Sequence, residues 1–169
     1  MQEEVQKIVE ALNAAGVRYV FVGGLAVIAH GYLRTTQDVD LIIDLEQKNL
    51  SAGLNALEEL GYQSRLPVSL EQFVNPEIRT SWIQEKNMLV FPLWQPSLAY
   101  GMTVDIFVEC PFDFNEEYDK ALWMEFKAGE KAPFVGLECL IQMKKEAARP
   151  KDLADIDQLR KVKDEIGNE

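Results

Sequence analysis

The chain has 169 residues, 28 acidic against 17 basic, a formal net charge of −11 and two cysteines. That length supports one hydrophobic core and predicts a single domain over 1–169. The charge argues against broad nucleic-acid binding, and no apolar run is long enough to span a bilayer. The acidic start Gln2-Glu3-Glu4 is unlike a secretory leader. The expectation is a cytoplasmic protein with Cys110 and Cys139 as free thiols.

Val5, Ile8, Val9 and Leu12 recur at helical spacing, and Gly16 can end that helix. Val17 to Val22 is a β-branched and aromatic run, hence a strand. Leu25, Ile28, Ala29 and Tyr32 mark one face of a short helix closed by Gly31. Val39 to Ile43 is a second strand. Leu50, Leu54, Leu57 and Leu60 line a helix stopped at Gly61, and Tyr62 to Leu66 reads as another strand. From Pro67 to Pro96 the pattern is weakest, with strands expected at Ser81–Ile83 and Met88–Phe91. Thr103 to Val108 is a strong strand, and Asp113 to Tyr118 reads as a loop. Leu122–Phe126 and Ala132–Val135 predict a hairpin around Gly129. Leu137 to Ala148 is a helix, and Pro150 opens a last one through Ile156, Leu159 and Val162. These elements predict an α/β (α+β) fold: a small mixed, twisted sheet flanked by helices, with a helical C-terminal end over 136–169.

Two features carry chemistry. Gly23-Gly24 closes the first strand, where backbone N–H groups can approach a phosphate. Asp38 and Asp40 stand one residue apart at the head of the second strand, so both project from the same face. Two like charges so close repel unless a cation lies between them, which suits a hard divalent metal and phosphate chemistry. Taken alone, the same pair is also compatible with solvated residues on a sheet edge, and a glycine pair with a plain tight turn. His30 is the single histidine, placed between the motifs and read as structural.

The order hydrophobic-Gly23-Gly24, spacer, Asp38-Val39-Asp40-Leu41 resembles the nucleotidyltransferase superfamily with the DNA polymerase β-like fold. Arg34-Thr35-Thr36-Gln37-Asp38-Val39-Asp40 resembles the branch containing the AbiEii-type toxins and minimal nucleotidyltransferases. So does the later series Leu140-Ile141-Gln142-Met143-Lys144, Arg149-Pro150-Lys151-Asp152 and Asp155. Many members carry Gly-Ser where this chain has Gly23-Gly24, so a serine hydroxyl for the triphosphate is missing. The resemblance covers about Tyr19 to Leu159.

The resemblance implies a third catalytic carboxylate on a later strand, matched by Asp105 in Val104-Asp105-Ile106-Phe107. It implies transfer of a nucleoside monophosphate from an NTP to an acceptor hydroxyl, with release of pyrophosphate. Asp38, Asp40 and Asp105 would hold Mg²⁺ (or Mn²⁺), Gly23 and Gly24 would present N–H groups to the triphosphate, and Arg34 and Lys144 would neutralise its charge. The acceptor stays open between tRNA, a small molecule and a protein. A toxin role would add an antitoxin partner. Other readings also stand: a non-catalytic nucleotide- or partner-binding module of the same fold, or an unrelated α/β domain. Asp105 could be salt-bridged, Arg34 could be a surface residue, and Lys144 could snorkel to solvent. Asp152 and Asp155 are expected to cap the last helix or pair with lysines.

Overall fold

The structure, a computed structural model, describes residues 2–97, 102–127 and 129–166. In chain order it contains α1 (Gln2–Ala14), β1 (Tyr19–Phe21), α2 (Gly23–Ala29), β2 (Asp38–Ile43), α3 (Gln47–Glu59), β3 (Gln63–Ser64), α4 (Leu70–Val74), α5 (Pro76–Lys86), β4 (Val90–Trp94), β5 (Thr103–Phe107), α6 (Phe114–Asp119), β6 (Leu122–Lys127), β7 (Glu130–Phe134), α7 (Leu137–Ala147) and α8 (Pro150–Ile166). The strands form one mixed seven-stranded sheet in the order β3-β4-β5-β2-β1-β7-β6. The predicted fold class is the one observed. The last three residues of the predicted helical segment 136–169 lie outside the described residues.

The alternation of the strands explains how a site arises on this sheet. Cross-strand partners share a face, and successive residues alternate between faces. Val39, Leu41 and Ile43 of β2, Val104 and Ile106 of β5, and Phe91 and Leu93 of β4 are buried. Helices α1 and α3 pack on each other, and Phe73 of α4 and Trp82 of α5 stack against Phe91 at 4.5 and 5.8 Å between ring centroids. Each such fully buried side chain contributes about 1.5–3 kcal/mol. The alternate residues Asp38, Asp40, Thr103, Asp105, Pro92 and Trp94 are half-buried or exposed. Register joins them: Asp38 faces Thr103, Asp40 faces Asp105, and Asp105 faces Pro92. The charged row therefore occupies a stretch of sheet that the core does not cover.

Three segments differ from expectation. Ser81–Ile83 is part of helix α5, not a strand. Asn75 caps that helix by accepting from the Glu77 and Ile78 amides, Pro76 fits its first turn, and Asn87 ends it in the left-handed conformation. Those end signals outweigh the short β-branched stretch between them. Residues 113–118 are not a loop: Asp113 accepts from Glu116 N–H and starts α6. The strand expected over Tyr62–Leu66 shrinks to Gln63–Ser64, and a capping box between Ser69 and Gln72 starts α4 instead. No helix among the described residues is long and apolar enough to cross a membrane.

Candidate active site

A cavity of about 300 Å³ opens on the uncovered stretch of sheet, within the size range of small-ligand sites. Its lining includes Gly23, Gly24, Arg34, Asp38, Asp40, Asp105 and Lys144, so every predicted site residue reaches one place. β2 and β5 run parallel and in register, which sets Asp40 directly beside Asp105 although 65 residues separate them in the chain. Asp105 Oδ1 is buried and has no hydrogen-bond partner. None of the salt bridges among the described residues involves Asp105, so the one considered for it is not formed.

Gly23 adopts φ = +59°, a conformation that costs a residue with a β-carbon, and it starts α2 with no side chain capping the helix end. A β-carbon on Gly23 would overlap the Asp40 carboxylate, and one on Gly24 would overlap the Thr36 side chain and come within 3.0 Å of Arg34 Nη2. The glycine pair is thus more than a turn: it lets the backbone touch the acidic row. Thr36 fills the space beside Gly24, so a serine side chain at this position would need Thr36 to move. The Thr36 hydroxyl donates to the Asp38 carbonyl at 3.3 Å.

The opposite wall is held by a buried ionic cluster. Lys144 Nζ donates to Asp155 Oδ2 at 2.7 Å and to Asp152 Oδ1 at 3.3 Å, with Lys144, Asp152 and Asp155 only 5, 1 and 3% exposed. Asp152 accepts from the Arg149 amide at 3.2 Å, which caps α8, and from Arg149 Nε at 2.6 Å. Asp155 also lies 3.0 Å from Arg34 Nε, an ion pair without hydrogen-bond alignment. Asp152 and Asp155 thus both pair with a lysine, and Asp152 also caps. Lys144, expected to reach a triphosphate or snorkel to solvent, instead has its ammonium committed to two carboxylates.

A scan against protein-family models and a search of curated proteins found no match. Among solved structures, the chain is similar to the lincosamide antibiotic adenylyltransferase LnuA with lincomycin bound. The likeness covers 96% of this chain and 98% of that one, with a TM-score of 0.59 and 17% identity. The fold is nucleotidyltransferase-like. Identity that low speaks for the fold alone.

On this nucleotidyltransferase-like scaffold the charges are strongly perturbed. Burial, reinforced by the Asp40 and Asp38 charges, pushes the Asp105 carboxyl up to about 6, with Arg65 opposing. Burial also raises Asp40, and the Gly24 amide, Lys151 and Arg149 hold it back. Burial penalises the Asp152 anion too, but its Arg149 and Lys144 partners prevail and keep it below the ordinary range. Neither cysteine offers a ready nucleophile, since burial lifts the Cys110 thiol and pushes Cys139 up to about 12. His30 sits away from the cavity lining, its Nε2 2.8 Å from the Val135 carbonyl.

The Asp105 shift has a measurable consequence for the metal-free protein. An unfolded aspartate titrates at about 3.9. Between about pH 4 and 6 the folded chain therefore holds more protons at Asp105 than the unfolded chain. This group's contribution to stability is full below about pH 4 and is lost as pH rises through about 6. Asp105→Asn removes that loss. In EDTA the variant should melt above the wild type at pH 7.5, and the two curves should converge toward pH 4. A gap of constant size across this range would mean that Asp105 is not the raised carboxyl.

Sequence reasoning missed Thr36 as a cavity wall, and it named Arg149 and Lys151 within the Arg149-Pro150-Lys151-Asp152 resemblance without placing them at the site. Both basic residues line the cavity. Their signal was present in Arg149-Pro150-Lys151-Asp152, where proline at a helix start fixes the direction of its neighbours.

Proposed function

We propose that this protein is a metal-dependent nucleotidyltransferase that moves a nucleoside monophosphate from an NTP to an acceptor hydroxyl. The observation that carries this reading is the composition of the cavity. Three carboxylates, one with an orphaned buried oxygen, stand on its sheet side, and Arg34, Arg149 and Lys151 stand around its helical side.

Asp38, Asp40 and Asp105 fit Mg²⁺ (or Mn²⁺): they are hard anionic oxygens, they repel one another without a counter-charge, and Asp105 Oδ1 lacks a partner. Among the described residues no three acidic, histidine or cysteine side chains are placed so that together they could hold a metal ion. Mg²⁺ needs only one or two protein carboxylates and completes its shell with substrate phosphates. Such an ion would supply countercharge for a polyphosphate and Lewis acidity at phosphorus.

The chain's own groups do the rest. The Gly23 amide at the open end of α2 donates to a phosphate oxygen, the Gly24 amide holds the Asp40 carboxylate in place, and Arg34, Arg149 and Lys151 balance the triphosphate charge. Asp105 accepts the acceptor's proton. The acceptor oxygen bonds to the α-phosphorus. The bond from that phosphorus to the bridging oxygen breaks, and its electron pair leaves with pyrophosphate. The structural neighbour is an adenylyltransferase with an antibiotic bound, so ATP and small hydroxylated molecules are the first substrates to test.

The test combines thermal melts with a pyrophosphate assay. Mg²⁺ with the preferred NTP should raise the melting temperature, by a stabilisation of about 2.7 kcal/mol at a hundredfold excess over Kd. Pyrophosphate should appear only with divalent metal and acceptor. Nucleotide binding without pyrophosphate would identify a binding module of the same fold, and no binding at all would remove both readings.

A further inference from the structure

The acidic row does not stop at Asp105. Pro92 faces Asp105 across β4, Trp94 follows Pro92 by two, and Gln63 of β3 faces Trp94. Arg65, two residues beyond Gln63, donates its amide to the Pro92 carbonyl at 3.0 Å. By strand alternation Arg65, Trp94, Thr103 and Asp105 lie on one face. The Arg65 guanidinium sits over the Trp94 ring at 5.6 Å, and its Nη1 lies 3.4 Å from Thr103 Oγ1. It is also close enough to lower the Asp105 pKa. Yet Arg65 is exposed and Trp94 remains 36% exposed. The cations assigned to the triphosphate come from the start of α8 and the segment between α2 and β2, and they line a cavity whose lining does not include Arg65, Trp94 or Thr103.

We infer that Arg65, Trp94 and Thr103 form the acceptor subsite. It takes a small hydroxylated molecule with a flat apolar body for Trp94 and an anionic group for Arg65. This rests on the transferase reading above, and the surface is continuous with that site through Asp105. The acceptor's hydroxyl lies at Asp105 and its anion near Thr103, two strand residues away or roughly 7 Å, the span of one sugar or one aromatic ring. A guanidinium presents paired donors to a carboxylate or phosphate, and an indole face takes a flat ring. The net charge of −11 disfavours a long nucleic acid on the same surface.

The probe is a cell extract passed through a 3 kDa filter and split on an anion exchanger. Each fraction is incubated with α-labelled NTPs, Mg²⁺ and the full chain. Wild type should label a product from the retained, anionic small-molecule fraction. At limiting acceptor, Arg65→Gln should lower the rate roughly ten- to a hundredfold and Trp94→Ala roughly three- to tenfold. The melting shift with Mg²⁺ and NTP should stay as in wild type for both variants. Label found only in the unretained fraction, or only in the RNA and protein held back by the filter and assayed in parallel, overturns the subsite, as do variants that transfer at the wild-type rate. If wild type releases no pyrophosphate with any fraction, the transferase reading falls and the subsite with it.

Discussion

Asp40→Asn should lower nucleotidyl transfer roughly a thousandfold or more while the protein stays folded. Asp40 sits where the three parts of the site meet. It faces Asp105 across the β2–β5 ladder, and its carboxylate touches the space a Gly23 side chain would need. Asparagine keeps the shape and an acceptor oxygen for the Gly24 amide, so the Gly23-Gly24 turn should hold. Only the negative charge goes, and with it the counterpart for a divalent ion. Burial and the Asp38 charge penalise the anion in the metal-free protein. The variant should therefore melt at or above the wild-type temperature in EDTA, and lose the increase produced by Mg²⁺ and NTP together. Single-turnover transfer and melts in both conditions separate the effects. A variant within tenfold of wild-type transfer would take Asp40 out of the reaction.

Lys144→Met should be severely destabilising, whether or not nucleotide is present. The lysine is the hub of a cluster in which it, Asp152 and Asp155 are nearly excluded from solvent. Methionine fills much of the volume and removes the charge, leaving two buried carboxylates with fewer partners. Breaking a buried pair on one side costs about 3–5 kcal/mol, or roughly 6–20 °C for a domain of this size. Arg34 should lose order as well, because Asp155 holds its Nε. A residue that only contacted triphosphate would leave the ligand-free melting temperature unchanged and weaken NTP binding alone. Melts without ligand therefore decide between the two roles: a drop under about 2 °C would return Lys144 to the triphosphate.

The elements that carry the chemistry were largely legible in the chain because their signals are local. A period of two puts Asp38 and Asp40 on one face of β2 whatever surrounds the strand. Gly23-Gly24 marks a turn because few other residues accept a positive φ or so close an approach. Asp105 stands out as one charge in an apolar strand, although its pairing with Asp40 came through family resemblance. The errors fell where local signals conflict. Ser81–Ile83 has strand-forming residues, but the Asn75 and Asn87 caps on either side decide for helix. The stretch from Asp113 reads as a loop in sequence because the six-residue helix it caps is too short to show periodicity.

Residue order alone thus determined the fold class, the glycine turn and the acidic strand head, each set by the conformations open to a few neighbouring residues. Tertiary structure alone decided which charges are spent and which are available. Asp105 has an oxygen without a partner, Lys144 is committed to Asp152 and Asp155, and Arg65 lies over Trp94 beside the acidic row. Those outcomes depend on strand register and helix docking between segments far apart in the chain. A charged side chain's role follows from the partners it meets there, and its own sequence neighbours do not specify them.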